Sequence, residues 1–229
     1  KVGTDTWTVV AAGDYHSLAI NSDGYLYSFG YNNYGQLGLG DTTTRTSPVK
    51  VGTDTWTAVA VGQYHSLAIN SDGYLYSFGY NGYGQLGLGD TTTRTSPTKV
   101  GTDTWIAVAA GEGHSLAINS DGYLYGFGWN TDGKLGLGDT TNRLSPTKVG
   151  TDTWIAVAGG RGHSLAINSD GYLYSFGYNN VGQLGLGDTT RRLSPTKVGT
   201  DTWIAVVAGR AHSLAINSDG YLYSFGYNN

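Results

Sequence analysis

The sequence contains no cysteine and no methionine, and only four of its 229 residues are proline. The absence of cysteine excludes disulfide bonds, thiol chemistry and cysteine metal sites, and it fits any compartment. Charged residues make up only 13% of the chain, and its net charge of −4 comes without the basic block that nucleic-acid binding requires. No apolar run approaches the roughly 20 residues that cross a membrane. We therefore expect neither a nucleic-acid nor a membrane partner.

Glycine and tyrosine are abundant instead, with 37 and 18 residues respectively. A chain of this length can bury about 70–75% of its unfolded surface, so a well-packed all-β domain is possible. The chain opens on Lys1, as expected of a processed product or of a piece of a longer protein. The sequence leaves the compartment open, and a secreted or cell-surface location is favoured over the cytoplasm.

One sequence unit recurs along the whole chain with a period of 49 residues. The run Lys-Val-Gly-Thr-Asp-Thr-Trp opens each unit, at Lys1, Lys50, Lys99, Lys148 and Lys197. The near-identity of the units indicates recent duplication or deliberate design. We interpret 1–229 as a single domain made of the repeats 1–49, 50–98, 99–147, 148–196 and a truncated 197–229.

Each unit is predicted to form four short strands and no helix, because no window shows helical periodicity. In the first unit these are strand A (Trp7–Ala12), strand B (His16–Asn21), strand C (Tyr25–Tyr31) and strand D (Ser47–Val51). The proline in strand D is tolerated only at an outer edge. Tandem units of four antiparallel strands are typical of β-propeller blades. The predicted fold is an all-β propeller with four complete blades and a partial fifth.

The turn between strands B and C contains Asp23-Gly24, which favours a two-residue type I′ hairpin loop. That loop places His16 opposite Tyr31 and Ile20 opposite Tyr27. Because side chains alternate along a strand, one face of the hairpin would be bulky and the other small. The expected bulky set is Leu18, Ile20, Tyr27 and Phe29, and the expected small set is Ser17, Ala19, Ser28 and Gly30. Blades would then stack with the bulky face of one on the small face of the next.

Two long motifs resemble the regulator-of-chromosome-condensation type repeat family. They are G-Q-L-G-L-G-D-x-x-x-R-x-x-P at Gly35–Pro48 and A-x-G-x-x-H-S-L-A at Ala11–Ala19. The resemblance covers essentially the whole chain and implies a β-propeller, usually of seven blades. The resemblance also suggests guanine-nucleotide exchange on a small GTPase as a function. Members with that activity depend on features outside the bare repeat, such as an extra hairpin and a basic tail, and the strict 49-residue spacing leaves no room for an inserted hairpin.

The incomplete fifth unit raises the question of how the propeller is sealed. The simplest closure lays Lys1-Val2-Gly3 beside strand C of the last unit. An unpaired strand edge also invites pairing with another chain. We therefore expect a poorly sealed five-blade ring, association of copies that completes the blades, or membership of a longer ring.

One histidine per unit could converge near the propeller axis, and imidazoles bind metals. A metal site needs three or four close ligands of mixed type, so we favour a structural role and expect no metal and no cofactor. In that role each histidine packs on the cross-strand aromatic and bonds the loop backbone. The structural residues are His16, His65, His114, His163 and His212, with the turn glycines Gly24, Gly73, Gly122, Gly171 and Gly220.

Other chemical patterns in the units have structural explanations. His16 and Ser17 are adjacent on a strand and point to opposite faces, so they cannot act together as base and nucleophile. The pair Asp41 and Arg45 is interpreted as a local ion pair that braces its loop. The tryptophan that opens each unit could be a sugar platform, but we expect it to wedge between blades. No enzymatic activity is expected.

Sequence differences between units fall mainly in the A–B turns and the C–D loops, which emerge on one face of a propeller. The B–C turn Asn-Ser-Asp-Gly on the other face never varies. Loops on a rigid scaffold are common binding sites, although neutral drift would also place differences there. The candidate binding residues are Asp14, Tyr15, Asn33, Tyr34, Gln63, Tyr64, Tyr83, Glu112, Asp132, Lys134, Arg161, Val181, Arg191 and Arg210.

These features favour a non-enzymatic scaffold that binds a protein partner through that face. A homo-oligomer formed through the unsealed terminal blade is also expected. Three alternatives stay open: a structural or engineered repeat protein without a ligand, an exchange-factor-like regulator, and a multivalent lectin-like binder. A lectin of this kind would offer several equivalent weak sites and gain strength by avidity.

Overall fold

The computed structural model describes residues 4–227, which form fifteen antiparallel strands and no helix, hence none that could cross a membrane. Neighbours in sequence are neighbours in the sheet order from β1 to β15. The strands are β1 (Trp7–Ala12), β2 (His16–Asn21), β3 (Tyr25–Gly30), β4 (Arg45–Val61), β5 (His65–Asn70), β6 (Tyr74–Gly79), β7 (Arg94–Ala110), β8 (His114–Asn119), β9 (Tyr123–Gly128), β10 (Arg143–Gly159), β11 (His163–Asn168), β12 (Tyr172–Gly177), β13 (Arg192–Ala208), β14 (His212–Asn217) and β15 (Leu222–Gly226).

The predicted all-β organisation in repeated, propeller-like units is confirmed, but strands D and A are not separate elements. Strand β4 pairs with β3 as far as Thr55 and with β5 from Trp56 onward. One 17-residue strand therefore supplies the outer strand of one unit and the inner strand of the next. Pro48 lies where the β3–β4 pairing is interrupted, between the paired residues Arg45 and Val49. The expected outer-edge position of this proline is confirmed.

The hairpin between β2 and β3 differs from the predicted register by one residue. Ile20 pairs with Leu26 instead of Tyr27, and His16 pairs with Gly30 instead of Tyr31. A type I′ turn needs positive φ at both central residues, whereas only glycines adopt positive φ in the described chain. The Gly24 amide bonds the Asn21 carbonyl at 3.0 Å, and Gly24 itself has φ of 83°. The turn is therefore a three-residue loop that ends in a left-handed glycine.

Because a slip of one residue exchanges faces, the predicted bulky and small faces are also wrong. Leu18 and Ile20 share a face with Leu26, while Ala19 lies opposite Tyr27 on the other face. The core forms where the aliphatic face of one unit meets the aromatic face of the next. Leu18, Ile20 and Leu26 share a buried cluster with Ala68 and Phe78, and equivalent clusters follow at the next three junctions.

The two ends of the array stay apart in the described part of the chain. Strands β1 and β15 are the two edges of the sheet order, and no contact joins the first unit to the last. The expected seal by Lys1-Val2-Gly3 lies outside the described residues. Between the ends, the five units curve so that the ends of their A strands surround a common axis.

Candidate functional site

The A–B turns and the C–D loops lie together on one face of the array, which we call the variable face. Three cavities open on it. One is lined by the A–B turns and the strand ends before them, and the other two combine A–B turn residues with C–D loop residues of neighbouring units. The invariant B–C turns lie on the opposite face, where the Trp56 amide bonds the carbonyl of Gly24 at 2.8 Å. The predicted separation of variable and invariant loops follows directly from the alternating strand directions.

The largest of these three cavities, about 690 Å³, lies on the axis and is lined by all five units. Adjacent A–B turns are bonded across its rim. Gln63 Nε2 donates to Asp14 Oδ2 at 3.2 Å, and Arg161 Nε donates to Glu112 Oε2 at 3.0 Å. Four predicted residues of different units are thereby joined in pairs. Tyr15 and Arg210 line the same cavity.

Seven aromatic side chains form a continuous surface across units one to three, which we call the aromatic belt. Its members are Tyr15, Tyr31, Tyr34, Tyr64, Tyr80, Tyr83 and Trp129. Tyr15 stacks on Tyr64 with ring centroids 5.0 Å apart, and Tyr83 stacks on Trp129 at the same distance. Tyr34 bridges the two halves, because its ring lies 5.1 Å from both Tyr64 and Tyr80.

Three tyrosines of the belt are substantially exposed to solvent. Tyr15 is 49% exposed, and Tyr34 and Tyr83 are each 37% exposed. The adjacent Tyr15 side chain raises the pKa of Tyr64 to about 12, so this phenol stays neutral at physiological pH. A cavity of about 260 Å³ opens between the rings of units two and three. The belt is thus an uncharged, partly rigid contact surface.

Sequence reasoning identified only four of the seven rings of the belt. Tyr31, Tyr80 and Trp129 were assigned to the end of strand C, with Tyr31 expected to pack on His16. In the structure these residues follow the last paired residue of the strand and project into the variable face. Their position directly before the varying loop was the available signal.

A second cluster of predicted residues surrounds a cavity of about 440 Å³ between units three, four and five, which we call the Lys134 cavity. Its walls are formed by rings and an aliphatic side chain, including Trp129, Tyr178 and Val181. Its charged lining residues are Glu112, Asp132, Lys134, Arg161 and Arg210. Two candidate residues stand apart: Asn33 and Arg191 are exposed on their loops and line none of the three cavities.

The repeated histidines are buried and join neighbouring units. His16 Nε2 lies 2.8 Å from Ser66 Oγ of the next unit, and the same bond recurs at the next three junctions. Ser66 Oγ donates its one proton to the carbonyl of Gln36 at 2.8 Å. The imidazole must therefore donate from Nε2 to the serine oxygen. The expected contacts with Tyr31 and with the loop backbone are replaced by this bond, because the register moves His16 opposite Gly30.

Burial disfavours the charged form of these imidazoles. It lowers the pKa of His16 and of His163 to about 4, and that of His65 to about 3. It also holds the pKa of His114 well below its usual value. Each of these side chains is therefore neutral at physiological pH. The last one, His212, is exposed and has no serine partner within residues 4–227.

The C–D loop is held by side chains that sequence reasoning noticed only in part. The predicted ion pair is confirmed in all four complete loops, with Arg45 Nη2 at 2.6 Å from Asp41 Oδ2 in the first. The central residue is Asn32, which was missed. Its amide donates to the carbonyl oxygens of Asp41 and Thr43, and its oxygen accepts from the Leu37 amide. Asn32 recurs unchanged inside a varying loop, and that constancy was the available signal.

The opening tryptophans lie between units, as expected. Trp56 is buried in the cluster that contains Leu18 and Leu26 of the preceding unit. Its ring meets Tyr76 edge-on at 5.3 Å. Trp105 and Trp154 are buried in the same way. These rings are therefore unavailable as sugar platforms.

Sequence comparison finds one family over most of the chain. The profile described as RCC1-like domain matches residues 1–162. The profile described as regulator of chromosome condensation (RCC1) repeat matches residues 170–216, with a further match at residues 154–183. The ultraviolet-B receptor UVR8 of Arabidopsis thaliana is 50% identical over 42 residues, which are 18% of this chain and 10% of the receptor.

Structure comparison extends the similarity to the whole array. Human WBSCR16 is 25% identical with a TM-score of 0.87, over 95% of this chain and 59% of that protein. Yeast RCC1 (Prp20), solved bound to Kap60, is 25% identical with a TM-score of 0.85, over 96% of this chain and 56% of the yeast chain. The chain thus spans less than two thirds of the length of these relatives. A structure of Prp20p from Saccharomyces cerevisiae, described with its binding properties to Gsp1p and histones, has a TM-score of 0.84 at 24% identity.

Proposed function

Because the chain belongs to the RCC1-like domain family, we propose that it is a non-enzymatic scaffold that binds a protein partner through its variable face. The observation that carries this proposal is the aromatic belt. Tyrosine and tryptophan offer large contact areas at low conformational-entropy cost, and both are enriched in protein interfaces. The relative Prp20 is itself described with protein partners, namely Kap60, Gsp1p and histones.

The belt differs from an ordinary exposed surface because its side chains are already held in place by their neighbours before a partner binds. Each ring contacts at least one other ring, so binding would fix few additional rotamers. The loops beneath it are fixed by the bonds of Asn32 and its equivalents in the other C–D loops. A partner that covers the belt would therefore meet a rigid surface with hydroxyl groups along its rim.

Replacing Tyr34 and Tyr83 together by alanine is expected to weaken partner binding by roughly 30-fold or more, because exposed interface aromatics are frequent hot spots. The measurement is quantitative affinity capture from a lysate of the organism that encodes the chain, followed by titration of the captured protein. Both rings are partly exposed, so the fold is expected to persist.

The matched control lies on the opposite face, where Thr53 and Asp54 are exposed. Thr53→Ala with Asp54→Ala is expected to leave capture unchanged. Equal capture by the belt variant and by the wild type would contradict the proposal. So would a loss of capture in the control variant alone.

Guanine-nucleotide exchange is the second candidate function, because the relative Prp20p is described with its binding to Gsp1p. The described chain, however, repeats every 49 residues without an inserted hairpin between units. Nucleotide-release assays on small GTPases separate this candidate from a binding scaffold. The repeated tryptophans are packed between units, so a lectin-like site would have to use other residues, and a glycan array tests that alternative.

We further propose that the isolated chain associates with a second copy through its two ends. His212 has no serine partner and Ser17 has no histidine partner within residues 4–227, although this pair joins the units at four internal junctions. Each end thus carries one half of a repeated interface. Light scattering is expected to give more than one chain mass, and His212→Ala is expected to reduce it. A mass of one chain at all concentrations would contradict the association.

A further inference from the structure

The Lys134 cavity contains a side chain that breaks the repeat. The other three complete units have glutamine at this position: Gln36, Gln85 and Gln183. In each of those units the glutamine oxygen accepts a bond from the backbone two residues earlier, at 3.0 Å. A lysine has no acceptor. Lys134 therefore does not replace the structural role of the residue whose position it takes.

No carboxylate in the described part of the chain lies within salt-bridge distance of the Lys134 ammonium, and Asp132 and Glu112 act on it only from farther away. Lys134 is only 1% exposed. Its Nζ lies 3.8 Å from the centroid of the Trp129 ring, and it forms no hydrogen bond or ion pair within residues 4–227. A buried charge without a hydrogen-bonded counter-ion is costly, and a cation–π contact offsets only part of that cost. Burial accordingly lowers the pKa of this lysine.

The surrounding charges leave the cavity short of carboxylates. Lys134 shares it with two other cations, Arg161 and Arg210, and with the carboxylates of Glu112 and Asp132. Glu112 is already bonded to Arg161 at 3.0 Å. Within the described residues, Asp132 forms no ion pair with a cation. The exposed Arg210 likewise forms no ion pair with a carboxylate. The charged lining residues therefore carry one positive charge in excess.

The departures from the repeat also cluster here. Trp129 stands where the other units have tyrosine, and Asp132 stands where they have tyrosine or valine. Lys134 completes the set within six residues. In a chain of near-identical units, three changes around one cavity indicate a local feature of unit three.

We propose that the Lys134 cavity binds a carboxylate group from an acidic peptide segment of the protein partner. This inference rests on the proposed binding function of the variable face. Lys134 Nζ and the Arg210 guanidinium would donate to the carboxylate oxygens, because charge-assisted bonds of this kind are short and strong. The rings of Trp129 and Tyr178 would contact the aliphatic part of the bound side chain. The volume of about 440 Å³ suits one glutamate residue with its flanking backbone.

The test uses the 229-residue chain, with its lysines ¹³C-labelled at the ε-carbon, and NMR titration with three probes. These are acetyl-Gly-Glu-Gly-amide, its glutamine counterpart acetyl-Gly-Gln-Gly-amide, and acetate. The glutamate peptide is expected to shift the Lys134 resonance until saturation and to raise the pKa of Lys134, since a bound anion favours the ammonium. The glutamine peptide is expected to have no effect. Equal affinity for acetate would overturn the assignment to a peptide.

Lys134→Gln is the decisive variant, because it installs the residue that the other units hold and is expected to fold. It should lower affinity for the glutamate peptide by roughly 10-fold or more. Arg210→Ser, on an exposed position, should lower it less. The matched control is Gln36→Lys, which places a lysine at the equivalent position of unit one, outside the lining of this cavity, and should not improve binding. Unchanged affinity in Lys134→Gln would overturn the inference.

The two proposals fail in different ways. If the Tyr34 and Tyr83 variant loses the partner while Lys134→Gln retains it at full affinity, the inference about the cavity is wrong and the binding function stands. If the glutamate peptide binds through Lys134 while the Tyr34 and Tyr83 variant captures the partner as well as the wild type does, the proposed use of the aromatic belt is wrong instead.

Discussion

Lowering the pH from 6.5 to 4 is expected to destabilise the chain steeply, through its four buried histidines. Each has a folded-state pKa below the value of about 6.5 that it has when unfolded, so only the unfolded chain takes up the proton in this window. The stability these neutral imidazoles support is fully present above pH 6.5 and is lost as the pH falls toward 4. Each contributes a limiting slope of about 1.4 kcal/mol per pH unit, so the four together give roughly 5.5 kcal/mol per pH unit. Urea denaturation at a series of pH values measures this slope.

Single substitutions assign the slope to individual residues. His114→Gln, whose amide can still donate toward Ser164, is expected to remove about one quarter of it. The loop aspartates act at lower pH: hydrogen bonds from the Thr43 amide and from Arg45 lower the pKa of Asp41. A free energy of unfolding that is flat between pH 6.5 and 4 would contradict the neutral histidine bridges.

Phe127→Ala is expected to lower the free energy of unfolding by about 3–5 kcal/mol, the usual cost of truncating a buried phenylalanine. The Phe127 ring is fully buried and shares a cluster with Leu67, Ile69 and Leu75 of the preceding unit. Backbone packs so closely on it that a Cβ at Gly87 would lie 2.9 Å from the ring. Little can move to fill the space that the ring leaves. Urea denaturation at neutral pH measures the loss.

The repeat supplies the control for this substitution. Phe29 has the same strand position in unit one, where no unit precedes it in the described chain, and its side chain is only partly buried. Phe29→Ala is therefore expected to cost clearly less than Phe127→Ala. Equal losses would show that the stability comes from within each unit and not from the junction between aliphatic and aromatic faces.

The order of the strands and the placement of the loops could be read from the sequence. In the first unit, strands A and B have the predicted bounds, since glycines and turn residues punctuate the apolar runs. Alternating strand directions then require the A–B turns and C–D loops to share a face. The aromatic belt and the Lys134 cavity lie on that face because its loops carry most of the differences between units.

The register of the hairpin could not be read in the same way. Asp23-Gly24 favours a two-residue turn, but the Asn21 side chain accepts from the Tyr25 amide at 2.9 Å and extends the turn by one residue. That competition between a side chain and the backbone is local chemistry that pattern matching overlooks. Because the predicted register was wrong by one residue, every side chain of β3 was assigned to the wrong face of the hairpin. The bond from His16 to Ser66 and the burial of Lys134 depend on the neighbouring unit, which no pattern within one repeat describes.

The 17-residue strands have a mechanical consequence. Since β4 ends one unit and begins the next, no slack linker separates the two, and tension applied to the termini would pass straight from unit to unit. Extracting the residues of β4 that end at Thr55 would pull directly on Trp56, the first residue of the neighbouring inner strand. Under a stretching force, the units should therefore unfold one after another from the end that is pulled, because the rupture of one unit weakens its neighbour. They should not unfold independently of one another.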